Sequence, residues 1–194
     1  MKANLGQTPS QTVGPYFSMR LAEEGENIIS VPADGGERIV ISGRVLDGDH
    51  QHVEDALLEF WQANPAGRYN HPDDVRDLTL DPSFTGFARA TSNFETGEYR
   101  LGTVKPGPVP DVEGGFQAPH ISLIVQARGM LNPLFTRVYF SDEEEANRDD
   151  LVLRRVPRER RHTLVADVVP GSAPKTYHFD IKLQGDDETV FFDF

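Results

Sequence analysis

The chain has 194 residues, a formal net charge of −12 and no cysteine, and this length suits one domain that buries about 70% of its unfolded surface. The missing cysteines exclude disulfides, thiolate metal ligands and a cysteine nucleophile, and they fit a cytoplasmic protein. The acidic charge argues against general binding to a nucleic-acid backbone, which needs a basic surface, and no apolar run approaches the roughly 18 residues that span a bilayer.

The N-terminal region, residues 1–37, is predicted to be an arm followed by a polar surface excursion. Its segment 8–17 reads TPSQTVGPYF. The two prolines and the glycine restrict or redirect the backbone, and the two aromatic side chains can be buried. On residue types alone this segment is an arm pinned by two aromatic rings. No repeat, linker or low-complexity tract divides the chain, so we expect one domain over residues 1–194.

Short apolar runs bounded by turn residues predict strands along most of the remaining chain. The run 121–128 is the most apolar and is predicted to be a central strand. Residues 70–83 lack periodicity and are predicted to be a long loop, a feature that is often functional or exposed. The other predicted strands are 38–46, 56–63, 84–90, 99–103 and 134–140.

The last third of the chain is predicted to contain two short helices and a hairpin. Residues 141–144 have capping-box spacing and acids that suit a helix N-terminus. Pro157 stands early in a possible second helical turn. Residues 177–183 then alternate apolar and polar, and the turn at 185–187 predicts that the chain returns as a second strand. Many short strands with brief helices and long loops predict an all-β fold, an antiparallel β-sandwich.

The most informative segment is 104–122, which reads VKPGPVPDVEGGFQAPHIS. It resembles the metal-binding segment of the intradiol aromatic-ring dioxygenases, which cleave catechols with ferric iron. In that family a P-G-P-Y-P loop and a P-A-H-I-H strand supply one Tyr and two His ligands. The resemblance extends over most of the chain through TPSQTVGPY, QANPAGRY, HFDIKLQG and ETVFFDF. It implies the same β-sandwich core.

The resemblance places the four iron ligands of the family, two Tyr and two His, at Arg76, Val109, His120 and Ser122. Only His120 keeps a ligand type. An arginine also repels a metal ion, because its guanidinium group is effectively always protonated. We therefore expect no metal and no catalytic residue in this chain, and we interpret His120 as a hydrogen-bonded core residue.

The resemblance further implies a hetero-oligomer in which a sister beta subunit holds Fe(III) through an intact Tyr/His set. This chain then completes the active site at the subunit boundary, for an aromatic acid substrate and O₂. By resemblance, its substrate-binding contributors are Thr12, Gly14, Pro15, Tyr16 and Arg128. A further implication is membership of the β-ketoadipate pathway of aromatic catabolism.

Arg128 cannot serve a metal at the His120 position of its own chain. A continuous strand between the two would separate them by roughly 26 Å, at about 3.3 Å per residue. A single-ring substrate cannot contact both residues. Alternatively, Arg128 is an ordinary arginine at a strand end, paired with one of the 31 acidic residues.

Two other classes of function stay open at this point. The chain could be a self-sufficient enzyme with an unrecognised site, or a purely structural or carbohydrate-type β-sandwich module without substrate contact. His50 and His52 have the i, i+2 spacing of metal ligands, and His71 lies near two aspartates. Such short patterns arise often by chance, so we do not predict a metal site from them.

Overall fold

Strands dominate the computed structural model of the chain, which describes residues 6–14, 20–30 and 35–193. The strands in that part of the chain are β1 (Arg38–Leu46), β2 (Leu57–Gln62), β3 (Phe87–Thr91), β4 (Glu98–Val104), β5 (Val109–Pro110), β6 (Phe116–Gln117), β7 (Ile121–Gln126), β8 (Leu134–Phe140), β9 (Val165–Val169), β10 (Lys175–His178) and β11 (Ile181–Lys182). Two short α-helices, α1 (Glu144–Asp149) and α2 (Leu151–Arg155), and a 3₁₀ helix (Arg158–Leu164) lie between β8 and β9. None of the described helices is long and apolar enough to cross a membrane.

The strands form two four-stranded layers that share one core. One layer has the order β4-β1-β10-β9 and the other β3-β2-β7-β8, and a β8–β9 pair joins them at one edge. Alternate residues of each layer point inward, as the strand period requires. Ile41 of β1, Phe60 of β2, Leu123 of β7 and Tyr177 of β10 are all nearly fully buried in this core. The fold is therefore the predicted sandwich of strands with short helices.

The prediction of an antiparallel sheet is wrong in part, because the sheet is mixed. Strands β10 and β11 both run parallel to β1, and β8 runs parallel to β9. The predicted C-terminal hairpin is also wrong: after its turn the chain keeps only a contact between Thr189 and Lys182, and Phe192 then bridges to Phe135 of β8. Alternation identifies a strand, but it does not identify the strand's neighbour.

The backbone approaches β1 closely at the break between β10 and β11, where the Arg44 N–H donates to the Asp180 side chain. A Cβ atom at Gly43 would collide with the carbonyl oxygen of Phe179, so only glycine fits there. The same carbonyl accepts a hydrogen bond from the buried Tyr99 hydroxyl at 2.6 Å. The chain therefore turns from one partner segment of β1 to the next at Phe179.

The helices differ from the predicted capping arrangement. Ser141 does not cap α1, whose N-cap is Glu143 with no side-chain capping bond. Instead the Ser141 hydroxyl accepts a hydrogen bond from the backbone N–H of Val168 in β9, at 3.1 Å. Helix α2, which the sequence analysis missed, is capped by the Asp150 side chain. The predicted helical turn after Pro157 is present as the 3₁₀ helix.

A polar cluster of Asp142, Lys105, Lys175 and Tyr177 connects the end of β8 to the other layer. The Asp142 carboxylate accepts hydrogen bonds from Lys105 Nζ at 3.0 Å, Lys175 Nζ at 2.6 Å and the Tyr177 hydroxyl at 3.0 Å. Burial raises the pKa of Asp142, but the bonds from Lys175 and Lys105 outweigh it and bring the pKa to about 2. The ionised carboxylate therefore stabilises the folded chain.

We predict that Asp142→Asn lowers the free energy of unfolding at pH 7 by about 2 kcal/mol, since each pKa unit corresponds to about 1.4 kcal/mol. The folded-state pKa is depressed, so this contribution is complete above the unfolded pKa and is lost as pH falls from about 4 towards 2. Urea unfolding at a series of pH values measures it. Asp149→Asn is the control, because that side chain is 72% exposed. A loss for Asp142→Asn that does not shrink in acid would contradict the assignment.

Candidate active site

The four positions that the resemblance equates with iron ligands lie around the start of β7. Arg76 and Val109 both line a cavity of about 630 Å³, together with Trp61, Tyr69 and Gln117. Trp61 of β2 also pairs with Ser122 of β7 in the sheet register, and it lines the adjoining groove with Ser122. The fold thus brings the four degenerate positions to one region.

Arg76 is locked to a neighbouring carboxylate at this site. Its Nε and Nη2 atoms donate to the two oxygens of Asp74 at 2.8 and 2.5 Å, and Nη2 also donates to the carbonyl of Gly67 at 2.7 Å. The hydrogen bond from Arg76 is the largest cause that lowers the pKa of Asp74 to about 2. Both groups stay charged, and the first ligand position holds a fixed cation and no phenolate.

His120 is buried beside the cavity, with 4% of its surface exposed. Its Nδ1 lies 2.8 Å from the carbonyl oxygen of Ala118, so this nitrogen donates and carries the proton. Burial lowers the pKa of His120 to about 4, and the charge of Arg137 acts in the same direction. His120 is therefore a neutral, hydrogen-bonded histidine at neutral pH.

A buried aspartate that the sequence analysis missed holds the start of β7. Asp150 is fully buried, and it accepts hydrogen bonds from the backbone N–H of Ala118 at 2.8 Å and from the Tyr139 hydroxyl at 3.2 Å. The same carboxylate caps α2 through Val152 and Leu153. The sequence does contain a signal for this helix start, because Asp is a favoured N-cap and stands here directly before the apolar run Leu-Val-Leu.

The residues present do not fit a ferric ion. Ferric iron favours hard anionic donors such as phenolates, together with imidazole. The site instead presents a guanidinium group at Arg76, an alkyl group at Val109 and a hydroxyl at Ser122. Among the residues that the structure describes, no group of three or more His, Cys, Asp or Glu side chains is arranged to hold a metal ion.

Two of the predicted substrate-binding residues, Thr12 and Arg128, lie at the opposite end of β7. Arg128 follows the strand on a turn, where its Nε is 2.5 Å from the Asp55 carboxylate. The next backbone N–H, of Gly129, donates to the Thr12 hydroxyl at 2.7 Å. The structure therefore brings Thr12 to the turn of Arg128. Gly14 is exposed, and Pro15 and Tyr16 lie outside the described residues.

Arg128 thus has an acidic partner, as expected if it is an ordinary arginine at a strand end. Asp55 is 2% exposed, whereas the Arg128 side chain is 49% exposed. The pairing uses Nε of the guanidinium group. It therefore suits both an ordinary strand-end arginine and one that presents its other nitrogens to a ligand.

Comparison with known proteins extends over most of the chain. A family model described as Dioxygenase matches residues 12–185. The protocatechuate 3,4-dioxygenase alpha chain of Burkholderia cepacia is 47% identical over 201 aligned residues, covering 97% of this chain and 98% of that protein. The beta chain of protocatechuate 3,4-dioxygenase from the same organism is 36% identical over 160 residues, 79% of this chain and 67% of that protein.

A solved structure shares the fold. The dioxygenase domain of a dioxygenase carbohydrate-binding protein fusion from Streptomyces sp. SirexAA-E superimposes with a TM-score of 0.61. The match covers 92% of this chain and 99% of that one, at 24% identity. This similarity supports the strand-rich sandwich described above.

We predict that the purified chain, produced alone, binds no ferric iron and shows no visible tyrosinate-to-iron charge-transfer absorption. The physical reason is the cation at Arg76, the loss of a phenolate donor at Val109 and the loss of an imidazole donor at Ser122. Elemental analysis and absorption spectra of ferric-loaded samples provide the measurement. Stoichiometric iron with a charge-transfer band in this chain would contradict it.

Proposed function

The chain belongs to the dioxygenase family, and we propose that it is the alpha subunit of a protocatechuate 3,4-dioxygenase, completing an active site whose ferric iron a beta subunit holds. The observation that carries the proposal is the contrast between near-full-length similarity to an alpha chain and a degenerate ligand set. Intradiol dioxygenases depend on iron, and Arg76, fixed to Asp74, makes this chain unsuited to hold it.

The reaction proposed for the assembly is the intradiol cleavage of protocatechuate. Both atoms of O₂ enter the substrate, and the ring opens between the two hydroxyl-bearing carbons to give 3-carboxy-cis,cis-muconate. The oxygen insertion and ring cleavage would take place at the iron that the partner subunit holds. The role proposed for this chain is to bind and place the substrate, and the isolated chain would be inactive.

Arg128 is the residue proposed to place the substrate carboxylate. A chain with a net charge of −12 repels an aromatic carboxylate unless a local cation reverses the potential. Arg128 is half-exposed, and a guanidinium group can hold a carboxylate through two parallel hydrogen bonds. The distance along β7 keeps it away from its own chain's degenerate site, so the substrate would lie against a neighbouring subunit.

The N-terminal arm is the second proposed contributor. Thr12 is bonded to the backbone of Gly129, which fixes this part of the arm beside the Arg128 turn. From there the backbone at Gly14 and Pro15 would form a wall of the substrate site, with Tyr16 next to it. Thr12, Gly14, Pro15, Tyr16 and Arg128 are therefore proposed as the shared substrate-binding residues.

A purely structural subunit is the alternative function, and one observation favours it. Arg128 already has an ion-pair partner within the chain, Asp55, and so does not need a ligand to balance its charge. A structural subunit would keep the interface with the partner but would not contact the substrate. The kinetics of Arg128 variants separate the two functions.

We predict that Arg128→Ala in the reconstituted alpha–beta complex lowers kcat/KM for protocatechuate by about 10- to 150-fold. This range corresponds to the loss of a charge-assisted hydrogen bond of roughly 1.5–3 kcal/mol. Iron content should stay unchanged, because no ligand is altered. Steady-state kinetics and iron analysis on the same samples measure both quantities.

A matched truncation tests the arm. A chain shortened to begin at Tyr16 should also reduce turnover while the partner's iron stays bound. Arg89→Ala is a control, because that arginine pairs with Glu59 in the β2–β3 ladder, away from Arg128. If Arg128→Ala and the truncated arm both leave protocatechuate kinetics intact, this subunit is only structural.

We predict a large, obligate interface with the beta subunit, above roughly 2,000 Å² in total, as is usual for obligate assemblies. Several large apolar side chains are strongly exposed in the described chain, including Val75, Val112, Phe116 and Leu131. The isolated chain should therefore self-associate or dissolve poorly. Light scattering with and without the partner is the measurement, and a stable monomer that binds beta only weakly would contradict the prediction.

A further inference from the structure

We propose that Asp55 is a positioning residue for Arg128, fixing the guanidinium group so that its two terminal nitrogens are presented outward to a carboxylate. The inference rests on the proposed function and extends it to the specificity of the shared site. It assigns the recognition of the substrate's carboxylate to a pair of residues, one buried and one half-exposed. Nothing in the sequence pattern singled out Asp55.

The geometry of the ion pair supports this role. Asp55 contacts Arg128 through Nε at 2.5 Å, and the acid is 2% exposed against 49% for the arginine. Nε lies on the inner edge of the planar guanidinium group, next to the side-chain stem. A carboxylate held there leaves Nη1 and Nη2 for a second acid, in the fork geometry that carboxylates accept.

The backbone at Asp55 is held in an unusual conformation. Its φ of 57° lies in the left-handed region, which non-glycine residues seldom adopt, although Asp and Asn tolerate it best. Such outliers persist where the surrounding structure determines them. An aspartate rather than a glycine at this turn is consistent with a requirement for its carboxylate.

The turn that carries Asp55 is fixed by a buried serine. The Ser92 hydroxyl accepts a hydrogen bond from the Ala56 N–H at 2.8 Å and donates to the Val53 carbonyl at 2.7 Å. The Ser92 N–H donates to the Ala56 carbonyl at 3.0 Å. Residues on both sides of Asp55 are therefore anchored to the same buried side chain, which gives the carboxylate a defined place.

The backbone of Arg128 is fixed from its own side as well. The N–H of Met130 donates to the carbonyl of Ala127 at 3.2 Å and closes the turn. The N–H of Gly129 donates to Thr12 of the arm. The ion pair with Asp55 orders the Arg128 side chain before a ligand binds, so less conformational entropy is lost on binding.

The charge of Asp55 and its positioning role predict opposite changes in substrate affinity when Asp55 is removed. The direction of the change therefore tests the proposal. The negative charge of Asp55 offsets that of Arg128 and weakens its attraction for an anion. If Asp55 only neutralised Arg128, its removal would strengthen binding of a carboxylate substrate. If Asp55 positions Arg128, its removal weakens binding.

The test compares Asp55→Asn and Asp55→Gly in the reconstituted alpha–beta complex with protocatechuate and with catechol, which lacks the carboxylate. Asn and Gly both tolerate the left-handed backbone, so the fold is retained. We expect KM for protocatechuate to rise about tenfold, equivalent to about 1.4 kcal/mol. We expect kcat to change little, catechol kinetics to stay the same, and the partner's iron content to be unaltered.

Glu59→Gln is the matched control, since it removes a comparable carboxylate from Arg89 Nε at 2.7 Å without touching Arg128. It should leave the discrimination between the two substrates unchanged. A lower or unchanged KM for protocatechuate in both Asp55 variants overturns the proposal, and so does an equal loss with catechol. If Arg128→Ala impairs protocatechuate turnover while the Asp55 variants do not, only this inference fails. If Arg128→Ala also has no effect, the proposed function fails with it.

Discussion

Strand β7 is the spacer that determines what this chain can do. It pairs with β2 on one side and with β8 on the other, so it lies in the middle of its layer. The degenerate ligand positions lie around its start and Arg128 lies just beyond its end, so the length of this strand of 6 residues, roughly 20 Å at about 3.3 Å per residue, separates them. A substrate the size of one aromatic ring cannot reach both ends. A substrate at Arg128, whose side chain is 49% exposed and which lies beside Thr12 of the arm, would therefore occupy a different site from the degenerate one.

Side-chain hydrogen bonds hold the degenerate end of β7 together. Arg76 supplies a fixed positive charge that binds Asp74 and the carbonyl of Gly67, which ties the 67–76 segment together. Asp150 binds the backbone just before His120 and caps a helix with the same carboxylate. These bonds satisfy buried polar groups that would otherwise be costly. These bonds hold together the region where the metal ligands of the family would lie.

Much of the fold follows from the sequence, because alternation and turn residues mark strands such as β1 and β8 almost to the residue. The mixed sheet does not follow, since the 175–183 run alternates equally well as half of a hairpin or as a parallel neighbour of β1. The capping role predicted for Ser141 was wrong because its hydroxyl instead accepts a hydrogen bond from the Val168 N–H of β9. At the site, the motifs identified the degenerate positions, but they could not show that Asp55 pairs with Arg128 across 73 residues. That contact depends on a left-handed turn and on Ser92, neither of which leaves a local pattern.

The central claim is that the iron served by this chain lies near the Arg128 end of β7 and not near the degenerate site. Because the chain contains no cysteine, a single introduced cysteine can carry a fluorine label at a chosen place. Leu131, 59% exposed beside the Arg128 turn, and Val112, 91% exposed beside the degenerate cavity, are suitable positions. In the ferric alpha–beta complex, fluorine NMR should show a strongly broadened signal for Leu131→Cys and a sharp one for Val112→Cys. The reverse pattern would contradict the account.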